Sequence, residues 1–479
     1  MGIYKLIRSL LDLIPSLNTS YSKDLKVQPK NDAMVLPSNL TTREHSSFSR
    51  HVGTLEDLFN NISEVKGSIN REHTSFFVVL QLHFPPTKAN VEEFIARAWE
   101  SLGQRYPALR AQISPRASST LASSRAFLCN PGMQQSSARR SPRTPTAQTS
   151  TFLSALADEL QQCSSAPLGN NGSKQLLAVP ESLESLVRKY LPAPLPEEKA
   201  EIDEMVETFA KGRQSIGFPP DLMQARQRLA FDSAKLISGC QTQGISVTSA
   251  VNAAVIRTAA QFPQDPGADA YAIFAPVNFR MLLMAAGAQE CSQPTGNYVS
   301  GASLRIDNAV GKSFRELANE LNTIYSQDFT RYERPGGGKT LNLLQSTESY
   351  IQFIAKLFAL FPSPGCPFPK APVISSFGKM DMIVKSEYGG DSDDTTGASK
   401  LRVTDFWVSC DCATPMITFN PYSWGGAFTL SSAWEDSYYE REFVIDALEK
   451  TMAELVEGLE IDPLSYRITT GCNDASTRK

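Results

Sequence analysis

The chain has 479 residues, enough for two or three domains, and 41% of them are hydrophobic, as suits a globular protein with a large core. Its formal net charge of −4 supplies no basic footprint for a phosphate backbone, so no nucleic-acid partner is expected. Eight cysteines without framework spacing exclude a disulfide scaffold and point to a reducing, cytoplasmic setting. Cys410 and Cys412 stand close together, but no second cysteine or histidine pair completes a zinc set, so no metal site is expected.

Residues 1–17 place Ile3, Leu6, Ile7, Leu10, Leu11, Leu13, Ile14 and Leu17 at helical spacing, with Lys5, Arg8 and Asp12 between them. This predicts an amphipathic helix, and the charges interrupt any signal sequence. A helix covering the fold, or a loose extension over 1–49, is favoured over contact with a membrane surface. No run of about 18 apolar residues marks a transmembrane helix.

Residues 75–84 (SFFVVLQLHF) are aromatic and β-branched and predict a buried strand, closed by Pro85 and Pro86. A helix over 90–106 follows, with Asn90 as N-cap and Val91, Phe94, Ile95, Ala98, Trp99 and Leu102 on one face. The chain returns as a strand over 109–113. Between 116 and 151 Ser, Thr, Pro, Ala and Arg dominate, which predicts a disordered loop. A short amphipathic helix is expected at 152–160, and a lobe-to-lobe crossover over 202–228.

Beyond it, Ser246 caps a helix through 262 whose inner face includes Val247, Ala250, Val251, Ala254, Val255 and Thr258. Strands are predicted at 271–277, 371–377, 401–409 and 427–434, and amphipathic helices at 314–325 and 443–459. Mixed strands and helices without regular β-α-β alternation indicate an α+β fold. The expected organisation is an N-terminal lobe over 50–225, carrying the atypical stretch 116–151, and a C-terminal lobe over 226–479.

Several segments stand in an order that resembles the chloramphenicol-acetyltransferase-like, or condensation-like, superfamily, and within it the fungal trichothecene O-acetyltransferases. They begin with Arg50-His51-Val52-Gly53-Thr54-Leu55-Glu56 and the helix ending Arg105-Tyr106-Pro107-Ala108-Leu109-Arg110. They continue with Gly244-Ile245-Ser246-Val247-Thr248-Ser249-Ala250-Val251-Asn252-Ala253-Ala254, Pro276-Val277-Asn278-Phe279-Arg280 and Asn297-Tyr298-Val299-Ser300. Ser375-Ser376-Phe377-Gly378 and residues 424–439 with the long helix behind them complete the set. The resemblance implies two lobes of mixed sheets with flanking helices, meeting across a tunnel that admits coenzyme A from one side and an alcohol from the other. It implies acyl transfer, with acetyl-CoA as cosubstrate and no bound cofactor, to a hydroxyl of a fungal secondary metabolite such as a sesquiterpenoid mycotoxin. A monomer is expected.

That family's chemistry rests on a His-x-x-x-Asp motif, whose histidine takes the proton of the acceptor hydroxyl and returns one to the leaving thiolate. The chain has four histidines, and four positions after His45, His51, His73 and His83 stand Ser49, Leu55, Phe77 and Thr87. The slot the motif would occupy falls within 116–151. Three explanations stand open: a wrong reading frame or retained intron in 116–151, loss of catalysis in a metabolite- or partner-binding paralogue, or another base. For the last, His83 is the least implausible histidine, although a strand histidine is more often a hydrogen-bonded core residue. No catalytic or cofactor-binding residue is therefore assigned.

The remaining motifs carry no chemistry. Pro335-Gly336-Gly337-Gly338-Lys339-Thr340 lacks the first glycine of a phosphate loop, since Glu333 stands in its place. The acidic run Asp391-Ser392-Asp393-Asp394 lacks the spacing of a calcium loop. No Gly-x-Ser-x-Gly elbow occurs. Asn420-Pro421-Tyr422-Ser423-Trp424-Gly425-Gly426 takes the place of the family's C-terminal structural motif, and its glycines and Trp424 are expected to shape a turn.

Overall fold

A computed structural model of the chain describes residues 48–51, 76–84, 91–106, 112–115, 125–129, 180–193, 196, 200, 215–218, 227–292, 296–327, 331–333, 340–343, 370–388, 400–410, 415–435, 437–461 and 467–470. The expected helices at 1–17 and 152–160 and the acidic run at 391–394 lie outside them. No helix among the described residues is long and apolar enough to cross a membrane.

The chain enters as β1 (Phe48–His51) and β2 (Phe76–His83), followed by α1 (Val91–Arg105), β3 (Gln112–Pro115) and β4 (Arg125–Cys129). β4 is the middle strand of an antiparallel sheet in the order β1-β4-β3. At 125–129 this corrects the disordered loop expected over 116–151, the rest of which lies outside the described residues. Ala126, Phe127, Leu128 and Cys129 form an apolar run inside the polar stretch, and both neighbours bond its backbone.

The middle of the chain supplies α2 (Leu183–Tyr190), β5 (Gln227–Asp232), α3 (Ser233–Gln243), α4 (Val247–Ala260), β6 (Tyr271–Asn278), α5 (Arg280–Ala285), β7 (Val299–Ile306) and α6 (Phe314–Tyr325). As expected, Ser246 caps α4, its hydroxyl accepting from the Ser249 amide at 3.1 Å. Burial goes further than the single inner face expected: Ala250, Val251, Ala253, Ala254, Val255 and Ile256 all lack exposed area. A helix apolar on every side must be enclosed, and α4 packs between α6 and the last helix of the chain. Ser313 and Glu316 form a capping box at the start of α6, and the serine's hydrogen bonds hold the Glu316 carboxyl below its ordinary pKa.

The last part adds β8 (Tyr332–Glu333), β9 (Thr340–Leu341), β10 (Val373–Ile374), β11 (Gly378–Lys379), β12 (Glu387–Tyr388), β13 (Leu401–Cys410), β14 (Thr418–Trp424), β15 (Ala427–Ala433), α7 (Arg441–Gly458) and β16 (Arg467–Thr470). β8 and β9 pair antiparallel, and the glycine-rich residues 334–339 between them lie outside the described residues. The largest sheet runs β10-β14-β15-β5-β16 and is mixed, because β10 and β11 lie parallel to β14 and the other pairs are antiparallel. Helices and sheets in this arrangement give the α+β class. β13 belongs to a different sheet, ordered β12-β13-β2, where it pairs along β2 from Arg402 opposite His83 to Cys410 opposite Phe76.

Two cores result. The larger gathers α2 to α7 with Phe419, Phe428 and Leu430 of the mixed sheet. In the smaller, Phe94 and Ala98 of α1 pack with Met380, Val384, Tyr388, Leu401, Val403, Phe406 and Val408. Residues 380–388 and 401–408 thus join an N-terminal helix and strand. Each large apolar side chain buried in this way stabilises the fold by ~1.5–3 kcal/mol.

Candidate functional site

Side chains alternate across a strand, so β14 and β15 each serve two faces. Phe419, Phe428 and Leu430 point to the helical core. The opposite face carries Thr418, Asn420 and Tyr422 from β14 and Thr429 and Ser431 from β15, and it looks toward β13. There the Tyr422 hydroxyl donates to the Phe406 carbonyl at 3.0 Å, its ring meeting that of Phe406 edge-on. The Ser431 hydroxyl lies 3.4 Å from the carbonyls of Val408 and Asn420. This is the seam between the mixed sheet and the β12-β13-β2 sheet.

Facing sheets ordinarily interdigitate apolar side chains. Here a polar row crosses the seam at one level. Asn420 stands opposite Ser431, and the Ser375 amide bonds the Phe419 carbonyl at 2.8 Å, which continues the parallel register of β10 and sets Ser375 beside Asn420. The backbone register extends the same level to Arg228 of β5 and Thr469 of β16. Ser375, Asn420 and Ser431 are 5%, 1% and 0% exposed. Among the described residues neither the oxygen nor the nitrogen of the Asn420 carboxamide has a hydrogen-bond partner, and the Ser375 hydroxyl has none either. Each such buried group costs ~1–3 kcal/mol, a penalty that a bound molecule with matching polar atoms would offset.

The structure brings two of the quoted fragments together at this end of the mixed sheet. Thr248, in the first turn of α4, donates its hydroxyl hydrogen to Ser376 at 3.2 Å, and Phe377 continues along β14 with its amide on the Pro421 carbonyl at 3.0 Å. The strand expected at 371–377 is regular only at Val373–Ile374 and resumes at Gly378–Lys379, yet these bonds keep the intervening backbone extended. Gly425 and Gly426, at φ 60° and 78°, form the expected turn into β15. The Gly425 amide donates to Asp381 at 2.8 Å, the Trp424 indole donates to the Val384 carbonyl at 2.8 Å, and the Ser233 hydroxyl donates to the Gly426 carbonyl at 2.7 Å. Both cores therefore hold this hairpin tip.

Pro276-Val277-Asn278-Phe279-Arg280 has a structural role. Asn278 accepts the Arg280 amide and starts α5, while the guanidinium, 7% exposed, bonds the carbonyls of Cys291 and Gly296 and lies 4.7 Å from the Tyr298 ring centroid. Burial pulls its pKa below the ordinary guanidinium value.

His83 does not reach the seam. It closes β2 opposite Arg402, whereas Ser431 meets β13 at Val408. Six residues of strand at ~3.3 Å each separate them by roughly 20 Å. Its side chain is exposed, so the expectation of a hydrogen-bonded core histidine is corrected as well: the end of the strand leaves it in solvent. His45, His73 and the slot for the missing motif lie outside the described residues. Cys410 ends β13, and 411–412 lie outside them too. Among the described residues no group of His, Cys, Asp and Glu is placed to hold a metal.

No protein-family model matches the chain. A curated protein, the loline biosynthesis cluster 1 transcription factor lolU1 of Epichloe uncinata, is 25% identical over 282 residues. That match covers 56% of this chain, and the chain spans about 55% of the length of lolU1. Among solved structures, the TRI3 trichothecene 15-O-acetyltransferase of Fusarium sporotrichioides superposes with a TM-score of 0.59 at 12% identity, covering 86% of this chain and 95% of that one. The EpoB nonribosomal peptide synthetase cyclization-docking bidomain of Sorangium cellulosum gives 0.53 at 12% identity, covering 87% and 86%. The epimerization domain of the third module of tyrocidine synthetase B gives 0.52 at 10%, covering 88% and 98%. At these identities the likeness is one of fold, and the chain has the chloramphenicol-acetyltransferase-like, condensation-like architecture.

Proposed function

We propose that the seam is where this chain brings an acyl thioester and a hydroxyl-bearing small molecule together and transfers the acyl group, with acetyl-CoA as donor and an apolar fungal metabolite as acceptor. The observation that carries the reading is the row of buried hydroxyl and carboxamide groups between two sheets, in a fold shared with an acetyltransferase. In this reaction the acceptor oxygen attacks the thioester carbonyl, the carbon–sulfur bond breaks, and the hydroxyl proton ends on the thiolate. The Ser375 hydroxyl is a donor without a partner that is suited to the developing oxyanion.

The absent His-x-x-x-Asp motif sets the expected rate. Without a general base, proton-transfer catalysis worth roughly 10²- to 10⁴-fold is missing, and positioning with oxyanion stabilisation supplies the remainder. The same absence favours one second reading, a non-catalytic protein that binds a metabolite or a partner enzyme at the seam. The likeness to a protein named as a transcription factor covers about half of the chain. With a net charge of −4 giving no footprint on a phosphate backbone, no nucleic-acid partner is proposed.

Release of free thiol from acetyl-CoA in the presence of a panel of terpenoid alcohols separates the readings. Acyl transfer predicts alcohol-dependent release that falls about 10²-fold in Ser375→Ala. Retained binding of acetyl-CoA or alcohol with no release supports the binding reading and removes the enzyme.

A further inference from the structure

The carboxamide of Asn420 is 1% exposed, and among the described residues neither its oxygen nor its nitrogen has a partner. It offers an acceptor and a donor side by side in one plane. Its neighbours in the row cannot complete it. Ser431 turns its hydroxyl toward the Val408 and Asn420 backbone carbonyls, and Ser375 presents a single hydroxyl.

A flat group carrying an N–H and a carbonyl on the same edge matches such a carboxamide with two parallel hydrogen bonds. Lactams and primary amides have that edge. An ordinary extended secondary amide does not, because its N–H and carbonyl point in opposite directions. Ketones and esters only accept, and an alcohol presents one atom where two are needed.

We infer that Asn420 reads a lactam or primary-amide edge on the acceptor molecule, with Ser375 as a third polar contact. The inference rests on the seam being the acceptor's place in the acyl-transfer reading. Asn420 is closed over in this structure, so occupancy parts β13 from β14 and β15. The side-chain ties across that boundary include Tyr422 to Phe406 at 3.0 Å and the longer Ser431 to Val408 at 3.4 Å. An adenine edge offers the same donor–acceptor pair, so the coenzyme is the other source of this chemistry.

The test is calorimetric titration of the full chain with 2-piperidone, with cyclohexanone as the isostere lacking the N–H, and with adenine. The expected result is saturable binding of 2-piperidone, at least tenfold weaker or absent binding of cyclohexanone, and at least tenfold loss of 2-piperidone binding in Asn420→Leu. That variant is expected to melt no lower than wild type, because it removes a buried polar group that has no partner. If it fails to fold, Asn420→Asp, equal in size but without the amide donors, takes its place with the same expected loss. Equal binding of the ketone, binding unaffected by either variant, or binding of adenine without 2-piperidone overturns the inference. Thiol release is measured separately: turnover with alcohols but no lactam binding removes the inference alone, and lactam binding through Asn420 without turnover removes the acyl-transfer reading alone.

Discussion

At the scale of single residues, side chains that replace missing backbone partners carry the most weight. Arg280 satisfies the carbonyls of Cys291 and Gly296 and stacks on Tyr298. Arg280→Met leaves both carbonyls without that donor, and a loss of about 2–4 kcal/mol is expected in urea denaturation. Glu290 behaves differently because it is partly exposed. Lys189 donates to it at 2.7 Å and the Tyr190 hydroxyl bonds both its oxygens, which lowers its carboxyl pKa to about 2 from an ordinary 4.5. A depressed folded-state value means that the contribution is fully present above the unfolded pKa and is lost as pH falls through the folded one. The melting temperature of Glu290→Gln is therefore expected to fall less steeply than that of wild type between pH 5 and pH 2, while parallel curves would show that this cluster adds nothing.

At the scale of elements, close approach decides which substitutions are tolerated. Gly458, near the end of α7, lies against the Phe314 ring, and a Cβ there would collide with ring atoms. Gly458→Ala gains ~1 kcal/mol of helix propensity but forces that ring aside, and a net destabilisation of about 1–2 kcal/mol is expected in thermal melts. Gly311→Ala, which meets nothing within 4 Å, is the control that leaves the melting temperature in place.

The same scale explains what could be read from the chain beforehand. Clear periodicity located β2, α1, α4, α6, β13, β15 and α7 to within a few residues. β14 was hidden because Gly425, Gly426 and Trp424 read as shaping a turn, and Pro421 interrupts the strand pattern. Pro421 is accommodated because regular pairing on that side of β14 stops at Phe419 with β10 and resumes at Tyr422 with β11. β4 was hidden by its polar surroundings. α3, with few large apolar residues, was not predicted. The candidate site was illegible for a related reason. Ser375, Asn420 and Ser431 are ordinary polar residues in sequence, and only the register of three strands sets them in a row. The fragments Ser375-Ser376-Phe377-Gly378 and Asn420-Pro421-Tyr422-Ser423-Trp424-Gly425-Gly426 contain two of the three residues.

At the scale of the whole molecule, two cores meet at a seam whose lining is polar where sheet packing calls for apolar contact. Acyl transfer requires that the seam accept both substrates, so thiol release by the full chain, given acetyl-CoA and an alcohol panel, is the most direct measurement. Slow, alcohol-dependent release that drops about 10²-fold in Ser375→Ala is the expected result. Release that is identical in the variant, or absent with every alcohol, contradicts it.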